Sequence, residues 1–433
     1  MRRARILLSS VLGLSLSVVT GAPAGALAGQ SRPQAVARVQ AAIPAIAPAA
    51  GPLSVPQAAH VGQASTTPAK SDGKPVRVRE LGSKRSESSK SYEMSDGTTQ
   101  VELSTQPMHF RDGNGKWQDI DTGVVAGSGE DAFENAKNGF RTRFGKSSDH
   151  LVSFEVDGRS IGLGLAGDKR KLTPAADGST VTFPDVFGTA DVRYHVSPTG
   201  LKEDIVLAGT TDAASEFSFE LRTSGLVAKP QADGSIWFVK HNDDTQPAYV
   251  MPAPFMYDAS SHNRLGEAGY SEKVTQTVTQ RGGTSIVTIK PDATWLNSAS
   301  RTFPVVIDPT ITVVPAPSAA QDTMLSEVNP SGNYGTYSNM NVGSDTGQNT
   351  YRALLKFDTS MIPTGTTIRS ADLNLHFSSP FSSETNVIPF VAQQATKDWT
   401  ETTATWTSMS ASYSATSLYN QIIVDDQDTL STS

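Results

Sequence analysis

The 433-residue chain has no cysteine. This excludes disulfide frameworks, thiolate metal sites, iron–sulfur clusters and cysteine nucleophiles, so stability outside a cell must come from packed cores alone. Positive charge is also scarce. With 36 Lys+Arg against 43 Asp+Glu, the net charge is −7, and a nucleic-acid binder needs a basic footprint to displace phosphate counterions. The seven histidines (His60, His109, His150, His195, His241, His262, His376) stand singly, with no pair at the spacing of a helical zinc motif. No phosphate-cradling glycine loop precedes a helix, because residues 162–167 (GLGLAG) are glycine-rich but lie in strand-like sequence. No set of residues assembles a mechanism, so no enzyme, no cofactor and no metal are expected.

Long apolar runs are missing too, apart from residues 6–19 (ILLSSVLGLSLSVV), which follow Arg2, Arg3 and Arg5. That run is too short for a bilayer, which needs roughly 20 residues. With the triplet Ala26-Leu27-Ala28 as cleavage site, residues 1–28 read as a secretory signal peptide. No membrane span is expected. Residues 29–79 begin with an Ala/Pro-rich tract that carries no aromatic and no acidic residue as far as Lys70. Such a stretch buries too little apolar surface to offset its ordering entropy, and reads as a disordered spacer.

Downstream, short runs rich in Val, Ile, Thr, Phe and Tyr are punctuated by Asp-Gly pairs at 96/97, 112/113, 157/158, 177/178 and 233/234. Asp-Gly between alternating segments is the strongest short-range hairpin signal, since both residues tolerate positive φ. Residues 151–156 (LVSFEV) and 217–222 (FSFELR) alternate apolar with polar, as half-buried strands do. The chain is expected to be all-β: a β-rich domain over 80–310, then a proline-marked boundary and a β-sandwich over 311–433. The second unit holds four cations (Arg352, Lys356, Arg369, Lys397) and 11 Asp+Glu, hence 4 − 11 = −7.

A set of ordered pieces then becomes informative: Asp322-Thr323, Asn333-Tyr334-Gly335, Asn341-Val342-Gly343, residues 352–357 (RALLKF), Ile362-Pro363 with Gly365, residues 371–375 (ADLNL), and Trp399-Thr-Glu401 leading to Thr405-Trp406. As a set they resemble the DNRLRE domain, also classed as carbohydrate-binding module family 96. The upstream residues Glu80-Leu81, Lys84-Arg85, Asp112 with Gly115-Lys116-Trp117, Asp119-Ile-Asp121, Asp191 with Tyr194, Gly200-Leu-Lys202-Glu203 and 304–309 resemble the N-terminal part of wall-associated Rhs/YD-repeat proteins. The resemblance implies a jelly-roll-like sandwich, a secreted or wall-associated location, and polysaccharide or cell-wall glycan as partner. Family members continue past the Thr-Trp pair through further strands, whereas here a polar tail leads to Ser433. A sandwich short of its last strands is therefore expected.

Sugar binding needs aromatic platforms for pyranose rings, with polar groups around them. The expected ligand-binding residues are Tyr334, Tyr337, Tyr351, Arg352, Trp399 and Trp406, although each aromatic has burial in the core as its plain alternative. Trp399 and Trp406 are an odd interval apart and would face opposite ways in one strand. An acidic glycan would be repelled unless the four cations cluster or calcium bridges the acids. Residues 112–117 (DGNGKW) have the outline of a calcium loop, but Lys116 stands where an oxygen ligand is wanted and the terminal Glu is absent. A structural calcium is thus left without a motif. The neighbours Glu203 and Asp204 point to opposite faces of a strand and cannot flank one glycosidic bond. Two readings stay open: a glycan-binding module, or a structural scaffold or delivery segment without glycan specificity.

Overall fold

The computed structural model describes residues 75–165, 167–209, 216–260, 269–313, 320–335, 337, 339–344, 349–374, 377–379 and 387–424, with short strands at Ile6–Ser9, Ser15–Thr20 and Ala37–Val39. Nearly all of the described secondary structure is β, and helix is limited to a few short turns such as Ala293–Leu296 and Trp406–Met409. The all-β class expected from the sequence holds. None of the described helices is long and apolar enough to cross a membrane.

The chain divides into two compact units. One comprises Pro107–Ser318 with Tyr334–Asn341; the other comprises Met1–Gln106, Ala319–Asn333 and Val342–Ser433. These bounds differ from the expected division into 80–310 and 311–433. Residues up to Gln106 belong with the C-terminal sequence, because Val101 and Leu103 on the strand Thr99–Ser104 pack against Phe357, Ile362 and Ala371. Burial is indifferent to sequence distance, so apolar residues from two ends of a chain can share one core.

The unit holding Pro107–Ser318 is a sandwich. Its first sheet runs, in spatial order, through Val274–Arg281, Thr284–Pro291, Phe217–Ser224, Arg159–Gly164, His150–Val156, Arg141–Ser147, Asp131–Lys137 and Asp121–Ala126. The second sheet runs through Ala175–Asp177, Thr180–Phe187, Ala190–Val196, Gly200–Leu207, Ile311–Val313, Asp243–Met251, Ile236–Lys240 and Leu226–Pro230. A wing is added where Val305–Asp308 pairs with Gly200–Leu207 and carries Phe255–Asp258 and Tyr270–Ser271 beyond it. Alternation puts Phe217, Phe219 and Leu221 of one sheet, and Val192, Tyr194 and Val196 of the other, into a common core. Ring contacts cross between the sheets, with Phe144 to Tyr194 at 5.9 Å and Phe154 to Tyr249 at 5.4 Å. At the Asp157-Gly158 hairpin both residues have positive φ, 51° and 72°, the geometry of a type I′ turn.

In the other unit, Ile368–Asn374, Thr99–Ser104, Ser89–Met94 and Arg77–Glu80 belong to one sheet, and Gln321–Ser326 pairs antiparallel with Thr350–Lys356 in a second. Val387–Ala395 and Tyr413–Val424 form a two-stranded ribbon. Most of the expected leader and spacer, Ala26 and Ala28 included, lies outside the described residues. Among the parts described, Ser15–Thr20 pairs with both Thr99–Ser104 and Ile368–Asn374, and Ala37–Val39 runs parallel to Ile368–Asn374. The Ser-Leu-Ser-Val alternation of residues 15–18 has the period of a strand.

Candidate functional site

Strand Thr350–Lys356 alternates Tyr351 on one face with Arg352, Leu354 and Lys356 on the other. Over that second face lies the segment 397–413. Leu354 packs into a cluster with Leu325, Trp399, Ala404, Met409 and Trp406. The segment is fixed at several points. Asn333 Nδ2 donates to the carbonyls of Glu401 (2.7 Å) and Ala404 (2.9 Å), and Thr407 N donates to Pro330 O (2.9 Å). Thr405 caps the helix Trp406–Met409 reciprocally: Ser408 N donates to Thr405 Oγ1 and Thr405 N to Ser408 Oγ. The Thr-Trp pair therefore starts a helix and is not part of a strand.

The cations of this face reach for the same segment. The Arg352 guanidinium lies 5.0 Å from the Trp406 ring centre and 4.7 Å from that of Tyr413, and donates to the carbonyl of Ser410. Lys356 Nζ sits 5.1 Å from the Trp399 ring and donates to Asp398 Oδ1 (2.8 Å) and Trp399 O (2.6 Å). Lys397 Nζ donates to Ser408 O at 3.4 Å. Three of the four cations thus gather on one strip, with Asp398 as the acid that partly offsets them. Arg369 does not join them and pairs with Asp96 at 3.6 Å.

The expected site residues separate accordingly. Tyr351, at 1% exposure, is a core residue, and its ring has no free face for a sugar. Trp399 at 7% belongs to the core cluster. Tyr334 is buried and Tyr337 half-buried in the unit that holds Pro107–Ser318, where Tyr337 stacks on Phe255 at 5.9 Å and 15° and Tyr334 meets it edge-on at 5.0 Å. Burial takes the stacking surface from Tyr334, Tyr351 and Trp399, and Tyr337 gives one ring face to Phe255. Arg352 and Trp406 remain half-exposed, and Tyr413, which the sequence reading did not place in the site, is 41% exposed and completes the strip. No spacing signalled Tyr413, because the helix Trp406–Met409 intervenes and breaks the strand period.

The same unit holds two acids with raised proton affinity, the buried Asp322 and the half-buried Glu401. Asp322 Oδ2 accepts from Gln106 Nε2 at 3.1 Å. Burial raises the proton affinity of Asp322, and that of Glu401 is pushed up to about 8 by burial and by the Asp322 charge. Among the described residues no three His, Asp or Glu side chains gather as metal ligands. The Asp112 carboxylate is engaged in closing its own hairpin, accepting from Asn114 N (2.9 Å), Lys116 N (3.0 Å) and Gln118 Nε2 (2.8 Å). Residues 158–162 (GRSIG) have the spacing of a nucleophile elbow. Ser160 lies inside the strand Arg159–Gly164, however, and not at a strand-to-helix turn.

Residues 316–424 match carbohydrate-binding module family 96. The whole Arg352–Trp406–Tyr413 strip falls inside that match. Over alignments of 274 residues the chain is 29% identical to the tRNA(Glu)-specific nuclease WapA of Bacillus subtilis subsp. natto, 29% to the tRNA3(Ser)-specific nuclease WapA of Bacillus spizizenii and 28% to the tRNA nuclease WapA of Bacillus subtilis. Each match takes in 59% of this chain and 11% of the relative, so the chain spans a small part of the length of these curated relatives. No solved structure matches the chain.

Proposed function

We propose that the unit containing the family 96 match binds glycan through the Arg352–Trp406–Tyr413 strip, and that the chain is an exported, non-catalytic attachment segment for cell-surface or extracellular polysaccharide. The observation that carries this reading is the guanidinium of Arg352 flanked by the rings of Trp406 and Tyr413, next to Lys356 and Lys397. A guanidinium held by two rings presents oriented N–H donors to hydroxyls or carboxylates, and an exposed ring supplies an apolar face for a pyranose. The local gathering of three cations makes an acidic polysaccharide admissible as well as a neutral one. A second reading, a delivery or scaffold segment of a longer wall-associated protein, is supported by the small share of the nuclease-named relatives that this chain spans.

Retention of the full chain on a panel of neutral and acidic polysaccharides, with and without calcium, tests both readings. Tyr413→Ala is expected to weaken retention about tenfold, the equivalent of one aromatic contact of about 1.4 kcal/mol, with the unfolding midpoint unchanged because the ring is exposed. Arg352→Ala is expected to act in the same direction, most strongly on acidic polymers. Retention indifferent to both variants would remove the strip from the reading. A folded sample held by no polymer would favour the scaffold, and tRNA cleavage by the purified chain would overturn its non-catalytic part.

A further inference from the structure

A second cluster of charged side chains lies on the other face of the strand Gly200–Leu207, away from the core. Its centre is Lys202, whose Nζ is 2.9 Å from Asp308 Oδ2 and also contacts Asp204 Oδ1. The registers explain why the three meet. Ile205 pairs with Ile307 and Leu201 with Ile311. Continuing both registers sets Asp204 opposite Asp308, and Lys202 one pleat along on the same face. Pro309 falls opposite Glu203 at the point where the ladder is interrupted, since proline has no N–H to give.

The surroundings hold little water. Side-chain exposure is 18% for Lys202, 14% for Asp204 and 2% for Asp308. Among the described lysine–carboxylate pairs this is the most buried, since Lys356, Lys229 and Lys169 are 30%, 42% and 83% exposed in theirs. Phe255 is the cross-strand neighbour of Asp308 and stacks on Tyr270 at 5.3 Å. Thr310 Oγ1 donates to Asp308 Oδ1 at 2.5 Å and fixes the carboxyl. Burial raises the proton affinity of Asp308, and Lys202 opposes that rise. At Lys202 burial favours the neutral amine, but the Asp204 and Asp308 charges outweigh it and hold the ammonium, so attack starts from the neutral pair formed when Nζ passes a proton to Asp308 Oδ2 across 2.9 Å. The buried Arg301–Asp258 pair, at 3.0 Å, offers a contrast, because its guanidinium is not a nucleophile.

We propose that Lys202 and Asp308 condense into an intramolecular amide that crosslinks the strands Gly200–Leu207 and Val305–Asp308. The Lys202 amine attacks Cγ of the Asp308 carboxylic acid, and an N–C bond forms. Asp204 accepts the proton released from nitrogen and returns it to the departing hydroxyl. The C–O bond then breaks and one water leaves. Neither an oxidant nor a co-reactant enters, and Asp204 ends in the protonation state in which it began. The bond removes two buried charges and ties an interrupted ladder in a chain that has no cysteine for a disulfide.

Intact-mass measurement of the denatured full chain tests this. Wild type is expected to be lighter by one water than Lys202→Arg once the substitution is allowed for, and its digest to contain a branched peptide joining residues 202 and 308. Lys202→Arg keeps the charge and cannot form the amide under the same conditions. Asp204→Asn retains both reactants and is expected to be incompletely condensed. A folded wild type carrying its full hydrated mass overturns the proposal. So does a water loss that survives Lys202→Arg, which marks a succinimide at an Asp-Gly site such as 157/158. Complete condensation in Asp204→Asn overturns the role given to Asp204.

Discussion

Alanine at Tyr351 is expected to destabilise its unit by about 3–5 kcal/mol, the cost of removing a large buried ring and leaving a cavity that the surroundings only partly close. Tyr351 is 1% exposed and lies on the face of Thr350–Lys356 opposite to Arg352, in the strand that pairs with Gln321–Ser326. Tyr413, at 41% exposure, has no such cavity to leave, and its replacement is expected within about 0.5 kcal/mol of wild type. Urea unfolding of the two variants beside glycan retention separates packing from recognition. Tyr351→Phe, which keeps the ring, is expected to recover most of the stability. If Tyr351→Ala unfolded at the wild-type midpoint while losing retention, the assignment of this ring to the core would be wrong.

How far this division could be read without the structure depends on the range of the interaction. The period-2 alternation of 217–221 became a strand with Phe217, Phe219 and Leu221 inward, and the opposed directions of Glu203 and Asp204 followed from the same pleat. Asp157-Gly158 announced its own turn. All of these are local. The company kept by Val101 and Leu103, and the stacking of Tyr337 on Phe255, are contacts between residues far apart in sequence, and no composition shift at residue 106 marks them. The aromatics of the family 96 match divide for a similar reason. Trp399 and Trp406 lie in a capped turn and helix outside the regular strands, so strand parity could not decide which ring faces solvent. The cation strip formed because one strand face set Arg352 and Lys356 two pleats apart beneath a single overlying segment.

Glu203→Gln is expected to reverse sign with pH. Glu203 is 1% exposed on the core side of Gly200–Leu207, where Oε1 accepts from the Tyr194 hydroxyl at 3.1 Å and Oε2 has no hydrogen-bond partner. Burial pushes its proton affinity up to about 8 from an ordinary 4.5; the Tyr194 hydrogen bond opposes the rise, while Asp204 adds to it. The folded chain therefore keeps a proton that the unfolded chain releases above about pH 4.5. Its stabilising effect is complete below that pH, declines as pH rises towards 8, and is gone above it. Glutamine cannot ionise, so at pH 8 the variant is expected to be more stable than wild type by on the order of 2–4 kcal/mol. Near pH 4.5 it should be weaker by about 1 kcal/mol, since its amide places N–H donors where Oε2 has no partner. Glu401, Glu87, Glu272, Asp308 and Asp322, shifted in the same direction, leave a residual slope in the single variant, and Glu203→Gln/Glu401→Gln should reduce it. Urea midpoints from pH 4.5 to 8.5 decide the matter: a wild-type stability that rises across this window, or a Glu203→Gln profile parallel to it, would show that Glu203 is ionised in the folded core.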